Sequence, residues 1–90
     1  MTMKLVYIEW IDAMFASGQH DLLSAQEAKL DVQHSAGILI VDDAERVTFV
    51  QDMFSAEELP DTQVRAYESI PKVNIKRILY FEVPDAEVTS

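Results

Sequence analysis

Cysteine is absent from the 90 residues of this chain, which excludes disulfides, thiolate nucleophiles and cysteine-bound metals. Glycine occurs only twice, so a glycine-rich loop that cradles phosphate is also excluded. The sequence contains no run of about 18 apolar residues that would cross a membrane as a helix, and it does not begin like a signal peptide. We therefore expect a cytoplasmic protein with a single domain, 1–84, and a polar C-terminal tail, 85–90.

Basic residues are also scarce, because seven Lys and Arg stand against sixteen Asp and Glu and give a formal net charge of −9. Affinity for a nucleic-acid backbone comes from Lys and Arg that displace counterions, so this composition argues against direct binding to that backbone. Apolar residues nevertheless make up 49% of the chain, which is too many for a disordered protein. The composition indicates a packed, acidic domain.

Five short segments have the β-branched and aromatic composition of strands. Between the first two, Ser24-Ala25-Gln26-Glu27 fits a capping box and predicts a short helix over about 22–30, with Leu23 and Leu30 packed inward. Residues 71–74 fit one 3₁₀ turn. The predicted strands are 4–10, 32–41, 46–54, 63–70 and 75–83.

The order of these elements predicts a mainly β fold. Five strands, a long first loop that contains a short helix, an acidic hairpin at 42–45 and a one-turn break before the last strand are typical of a small, partly open barrel of SH3-like or Sm-like type. A second capping box at 55–58 is stopped by Pro60 and predicts a loop with one helical turn. The alternative is an unrelated β-sandwich, which we consider less favourable because five strands close on themselves more readily than they stack in two sheets.

Apolar residues occupy both faces of the second, third and fifth predicted strands. Leu39 and Val41, for example, alternate with Ile38 and Ile40. A small barrel has one interior, so its strands should alternate apolar and polar residues. The surplus would leave an exposed patch that soluble monomers rarely tolerate. The pattern therefore predicts a homo-oligomer, and a monomer covered by its own loops is the alternative.

Charge is unevenly distributed along the chain. Residues 42–61 hold seven acids and one base, whereas 62–81 hold four bases and one acid. Lys72, Lys76 and Arg77 fall within six residues of one another, and such a cluster can bind phosphate or carboxylate. The alternative is that these bases neutralise acids on neighbouring strands, which contributes little to stability.

A possible ring-binding site lies at the end of the first strand. Trp10 can stack on a flat ligand, and Asp12, two residues later, can accept hydrogen bonds from the polar edge of that ligand. Trp10 also shares a strand face with Val6 and Ile8, which makes a core position the competing interpretation. Ser35 can donate a hydrogen bond to a ligand, but no nucleophile motif of the G-x-S-x-G type surrounds it.

The sequence predicts neither a catalytic centre nor a metal site. His20 and His34 lack the close spacing of metal ligands, and His34 is interpreted as a hydrogen-bonded structural histidine. The acidic pairs at 42–43 and 57–58 fall in predicted turns, where solvated charge is expected. We therefore expect a protein that is not an enzyme and uses no cofactor.

Four segments, in this order and spacing, resemble a family of small, uncharacterised phage-encoded proteins. They are 9–13 with Trp-x-Asp, 35–43 with Gly-x-Leu-Ile, 47–50, and 70–75 with Ile-Pro-Lys-x-x-Ile followed by Ile78. The likeness does not extend over the 13–34 loop. It implies an accessory role in the cytoplasm of a host cell, with anti-defence as one form of that role. The same resemblance marks Trp10, Asp12, Ser35 and Lys72 for a site.

Residues and resemblance together predict a non-enzymatic, oligomeric protein that sequesters a small anionic, nucleotide-type ligand between protomers. Trp10 would stack on the base, Lys72 with Lys76 or Arg77 would hold phosphate, and Asp12 and Ser35 would bond the sugar or the base edge. One alternative is an acidic interaction module that inhibits a host protein. The other is a virion or assembly component.

Overall fold

Five antiparallel strands form one open sheet in the computed structural model, which describes residues 3–13, 16–54 and 59–84. Their order across the sheet is β4-β3-β2-β1-β5. Every predicted strand is present to within one residue at each end, so the mainly β prediction is confirmed. The strands are β1 (Met3–Ile11), β2 (Val32–Asp42), β3 (Arg46–Phe54), β4 (Gln63–Pro71) and β5 (Ile75–Val83).

The connection between β4 and β5 forces the sheet to curl. These strands lie at opposite edges of the sheet, yet only the 3₁₀ turn Lys72–Asn74 joins them. Four peptide steps reach at most about 14 Å. The outer strands of a flat five-stranded sheet lie about 19 Å apart. The sheet therefore has a concave inner face and a convex outer face, and its two edges approach each other at the Lys72–Asn74 end.

The larger part of the core lies on the inner face, while Val50 is buried on the opposite face of β3. One cluster of buried residues from β1, β3 and β4 forms its centre, and half-buried Trp10, Leu39, Ile75 and Ile78 pack around it. Burial of such side chains contributes about 1.5–3 kcal/mol each. The cluster consists of Val6, Ile8, Val47, Phe49 and Ile70.

Helix α1 (Leu22–Glu27) lies in the first loop as predicted, but it is shorter than expected and packs differently. Its N-cap is Asp21, whose carboxylate accepts the backbone N–H of Ser24 at 2.7 Å, so the predicted Ser24 cap is wrong. No residue of the helix is buried, and Leu23 and Leu30 are exposed, so their predicted inward packing is also wrong. The helix therefore covers none of the sheet's surplus apolar surface.

The acidic hairpin between β2 and β3 is held by its own carboxylate. Asp43 Oδ1 accepts the backbone N–H groups of Glu45 and Arg46, both at 2.9 Å. These two bonds lower the pKa of Asp43, because they favour its charged form. The sequence predicted the turn but assigned solvated charge to its acids, whereas Asp43 holds the turn and Asp42 ends β2 and contacts Lys72.

Three further predictions concern other parts of the chain. A 3₁₀ turn spans Leu59–Asp61, while the predicted helical turn at 55–58 and the tail 85–90 lie outside the described residues. Within the ranges that the structure describes, no helix has the length and apolar character needed to cross a membrane.

Candidate functional site

Two of the predicted ligand-binding residues are joined directly on the inner face. The indole Nε1–H of Trp10 donates a hydrogen bond to Ser35 Oγ at 3.0 Å. Pairing of β1 with β2 places Ile8 opposite Ser35 and Trp10 opposite Gln33, so the indole reaches diagonally across the strand pair. Trp10 is half-buried and packs against the core cluster, so it is a core residue with one edge directed at a neighbouring strand.

A cleft opens beside Ser35, where β2 and β3 separate. β2 pairs with β3 only from Ile38 onward, so the earlier part of β2 is paired with β1 alone. The end of β3 pairs only with β4. The resulting space has a volume of about 370 Å³, within the usual range for small-molecule sites. It is lined by Ser35, Ala36, Phe49, Gln51, Ala66, Tyr67 and Glu68.

The lining of this cleft suits a flat polar molecule. Phe49 is buried, whereas Tyr67 is 72% exposed and supplies an accessible aromatic ring. Ser35, Gln51 and Glu68 supply hydrogen-bonding groups, and of the described lining residues only Glu68 and Tyr67 are ionisable. No base is present among the described residues that line the cleft, and these residues favour a ring with hydrogen-bond donors over a phosphate group.

Backbone strain is located in the same cleft. Ala66 has a φ of +55°, a left-handed conformation that costs a residue with a Cβ about 1–2 kcal/mol. Regular pairs flank it on β3 and β4, with Val50 opposite Tyr67 and Asp52 opposite Arg65. The Arg65 guanidinium also donates to Asp52 Oδ2. The surrounding ladder holds the strained residue in place, and such strain collects at functional sites.

Lys72, a predicted phosphate ligand, instead contacts a carboxylate. Its Nζ lies 2.5 Å from Asp42 Oδ1, and the Tyr80 hydroxyl donates to Asp42 Oδ2 at 2.7 Å. The hydrogen bonds from Lys72 and Tyr80 lower the pKa of Asp42, and the same contact raises the pKa of Lys72. The backbone N–H of Lys72 also donates to the Glu45 carbonyl at 2.8 Å. Lys72 therefore ties the turn before β5 to the β2–β3 hairpin.

The other predicted site residues are separated. Arg77 Nε lies 2.9 Å from Glu9 Oε2, and these residues face each other in the β1–β5 register. Arg77 and Lys72 therefore each neutralise a nearby acid, Arg77 from a neighbouring strand and Lys72 from the turn before β5. Asp12 accepts the backbone N–H of Ala13 at 2.8 Å and is exposed.

Lys76 differs from the other two bases of the cluster. The β1–β5 register shifts so that Trp10 pairs with Ile75 while Glu9 pairs with Arg77, which makes Lys76 the extra residue of a bulge. No carboxylate of the described ranges forms an ion pair with it. Lys76 follows Ile75, which is the register partner of Trp10.

His34 is the hydrogen-bonded structural histidine that the sequence predicted. Its Nδ1 lies 2.7 Å from the Tyr7 hydroxyl, and the two rings stack with centroids 6.0 Å apart. His20 Nε2 lies 2.8 Å from the Ser17 carbonyl oxygen. The parts of the chain that the structure describes contain no group of three or more His, Asp or Glu placed to hold a metal ion.

The Asp42 cluster predicts a component of stability that is lost in acid. Because the folded-state pKa of Asp42 is lowered, its contacts stabilise the fold above the ordinary Asp pKa of about 3.9 and are lost as pH falls through the lower folded value. The pKa values of Lys72 and Tyr80 are raised, so their contributions are lost only in alkali. Urea unfolding of wild type and Asp42→Asn should show a stability gap at neutral pH that closes in acid. A gap that stays constant with pH would contradict this role.

Comparison with models of known protein families, with curated proteins and with solved structures found no significant match to this chain.

Proposed function

We propose that this chain is a non-enzymatic binding protein, an SH3-like or Sm-like partly open barrel that self-associates and sequesters a small nucleotide-type ligand. The observation that carries the proposal is the hydrogen bond from Trp10 to Ser35 at the edge of the cleft. It connects two predicted ligand residues with a space of suitable volume. The barrel type is supported by the curl of the sheet and by the short 3₁₀ link between its edges.

The cleft is the place for the base of such a ligand. Tyr67 offers a ring for stacking, and Ser35, Gln51 and Glu68 offer hydrogen-bond partners for the polar edge of a base. Trp10 then acts through Ser35, whose hydroxyl it holds, and not by stacking. The cleft lies within one chain, so this assignment replaces the predicted seam between protomers with one site in each copy.

Lys76 is the residue that binds the phosphate of the ligand. Lys72 and Arg77 already contact Asp42 and Glu9, and recruiting them would mean breaking those pairs. Lys76 follows Ile75, the residue of β5 that pairs with Trp10, and it has no ion pair in the described ranges. The accessory role in a phage-infected host cytoplasm, implied by the resemblance, is part of the same proposal.

Nucleotides should raise the melting temperature of the protein, since a ligand that binds only the folded state stabilises it. A panel of linear and cyclic nucleotides, each beside its nucleoside, tests this by thermal shift. Loss of one stacking contact costs about 1–3 kcal/mol, so Tyr67→Ala should raise the Kd by about 5- to 150-fold. Lys76→Ala should weaken the binding of nucleotides but leave the binding of nucleosides unchanged.

Phe54→Ala is the matched control for Tyr67→Ala. Phe54 is also 72% exposed and lies on the paired strand β3, but it does not line the cleft. It should bind the ligand as wild type does. The absence of a shift with every nucleotide and nucleoside would overturn the ligand proposal. Salt-sensitive capture of a host protein in the same preparation would then favour an acidic inhibitor.

A further inference from the structure

We propose that the outer face of strands β5, β1 and β2 is a two-fold interface on which a second copy of this chain docks. This inference rests on the self-association in the proposed function and names the surface responsible. The outer face is defined by every second residue of β1 with its register partners. It comprises Leu5, Tyr7 and Glu9 of β1, Leu79, Arg77 and Phe81 of β5, and Ile38, Ala36 and His34 of β2.

Apolar side chains dominate this face and remain accessible. Phe81 is 52% exposed, and Leu5 and Leu79 are each 38% exposed, although the three are neighbours in the β1–β5 register. Helix α1 buries no residue, so it does not cover them. Sheet faces of this composition in soluble proteins pack against another layer, commonly a second sheet about 10 Å away.

The charges on the face identify the second layer as another copy. The chain carries a formal net charge of −9, so two copies repel each other across most of their surfaces. The outer face carries one carboxylate and one guanidinium, Glu9 and Arg77, which contact each other at 2.9 Å. The charges of this pair cancel, so two copies can approach there without the repulsion that their other surfaces impose.

The same pair makes the face self-complementary. A two-fold axis presents identical surfaces to each other, so each positive group must find a negative group of the other copy. With Glu9 and Arg77 side by side, Glu9 of one copy can approach Arg77 of the second, and the reverse. An unrelated partner would have to supply both charges in matching positions as well as an apolar sheet face.

Light scattering and sedimentation across a concentration series test the interface. Wild type should show a mass that rises to twice that of one chain. Phe81→Glu places a carboxylate on the apolar face and should raise the dimer dissociation constant by about 100-fold or more. The double variant Glu9→Arg, Arg77→Glu keeps the pair within and between copies, so it should remain dimeric. Arg77→Glu alone places two acids together and should dissociate.

Phe54→Glu is the matched control, because it makes the same chemical change at an exposed phenylalanine of β3, which is not one of the three strands of the proposed interface. It should keep the dimer, and circular dichroism should show that both glutamate variants are folded. If wild type has the mass of a single chain at every concentration, both the interface and the proposed self-association are wrong. A Phe81→Glu variant that stays dimeric overturns the interface alone. Neither result bears on nucleotide binding, which thermal shift measures separately.

Discussion

Gly37→Val should unfold the protein or lower its free energy of unfolding by about 3 kcal/mol or more. A Cβ at this position would lie 2.6 Å from Phe49 Cδ2 and 2.8 Å from the Val50 carbonyl oxygen. Neither neighbour can move away easily, because Phe49 belongs to the buried core and the second contact is backbone in a paired strand. Glycine is required here by the close approach of β3 to β2.

Urea denaturation measures this effect, and Gln33→Val is its matched control. Gln33 lies four residues earlier in β2, is exposed and belongs neither to the cleft lining nor to the proposed interface. Its replacement should change the free energy of unfolding by less than about 0.5 kcal/mol, as is usual for surface positions. A Gly37→Val protein as stable as wild type would contradict the close approach of β3 to β2 at this residue.

The strands of this protein could be predicted because their sequence pattern is local. Runs of β-branched and aromatic residues such as 46–54 and 75–83 are bounded by acidic turns or proline, and the structure begins and ends these strands at the same residues. The 3₁₀ turn after Pro71 was equally local. The strand order was not predicted, because the pairing of β1 with β5 joins segments at opposite ends of the chain and no local pattern encodes it.

The helix shows where local patterns fail. Asp21 and Ser24 are both strong N-cap residues, and the sequence offers no means of ranking them. Leu23 and Leu30 were expected to face inward because they are apolar, but the inner face is already filled by the strands' own side chains. A helix of six residues in a long loop then has no sheet surface left to bury.

The candidate site could be predicted residue by residue but not as an arrangement. Trp10 and Ser35 were separate candidates, and only the β1–β2 register shows that they meet. The bases after Pro71 were expected to bind an anion, yet Lys72 and Arg77 have acids opposite them in space, 30 and 68 residues away in sequence. The cleft depends on where β2–β3 pairing stops, for which no residue pattern gives a signal.

Ile70→Ala should lower the free energy of unfolding by about 2–5 kcal/mol, the usual cost of a core cavity. Ile70 is fully buried and is the one buried residue among the nine of β4, all of which the structure describes. It carries the edge strand into the core beside Val47, its register partner. Val73→Ala, three residues later at a side chain 92% exposed, should leave stability unchanged. Because this single side chain anchors β4, the backbone amides of β4 should exchange faster in Ile70→Ala than in wild type, while those of β1 change less. An equal increase in both strands would instead mean that the sheet opens as one unit and that Ile70 does not anchor β4 separately.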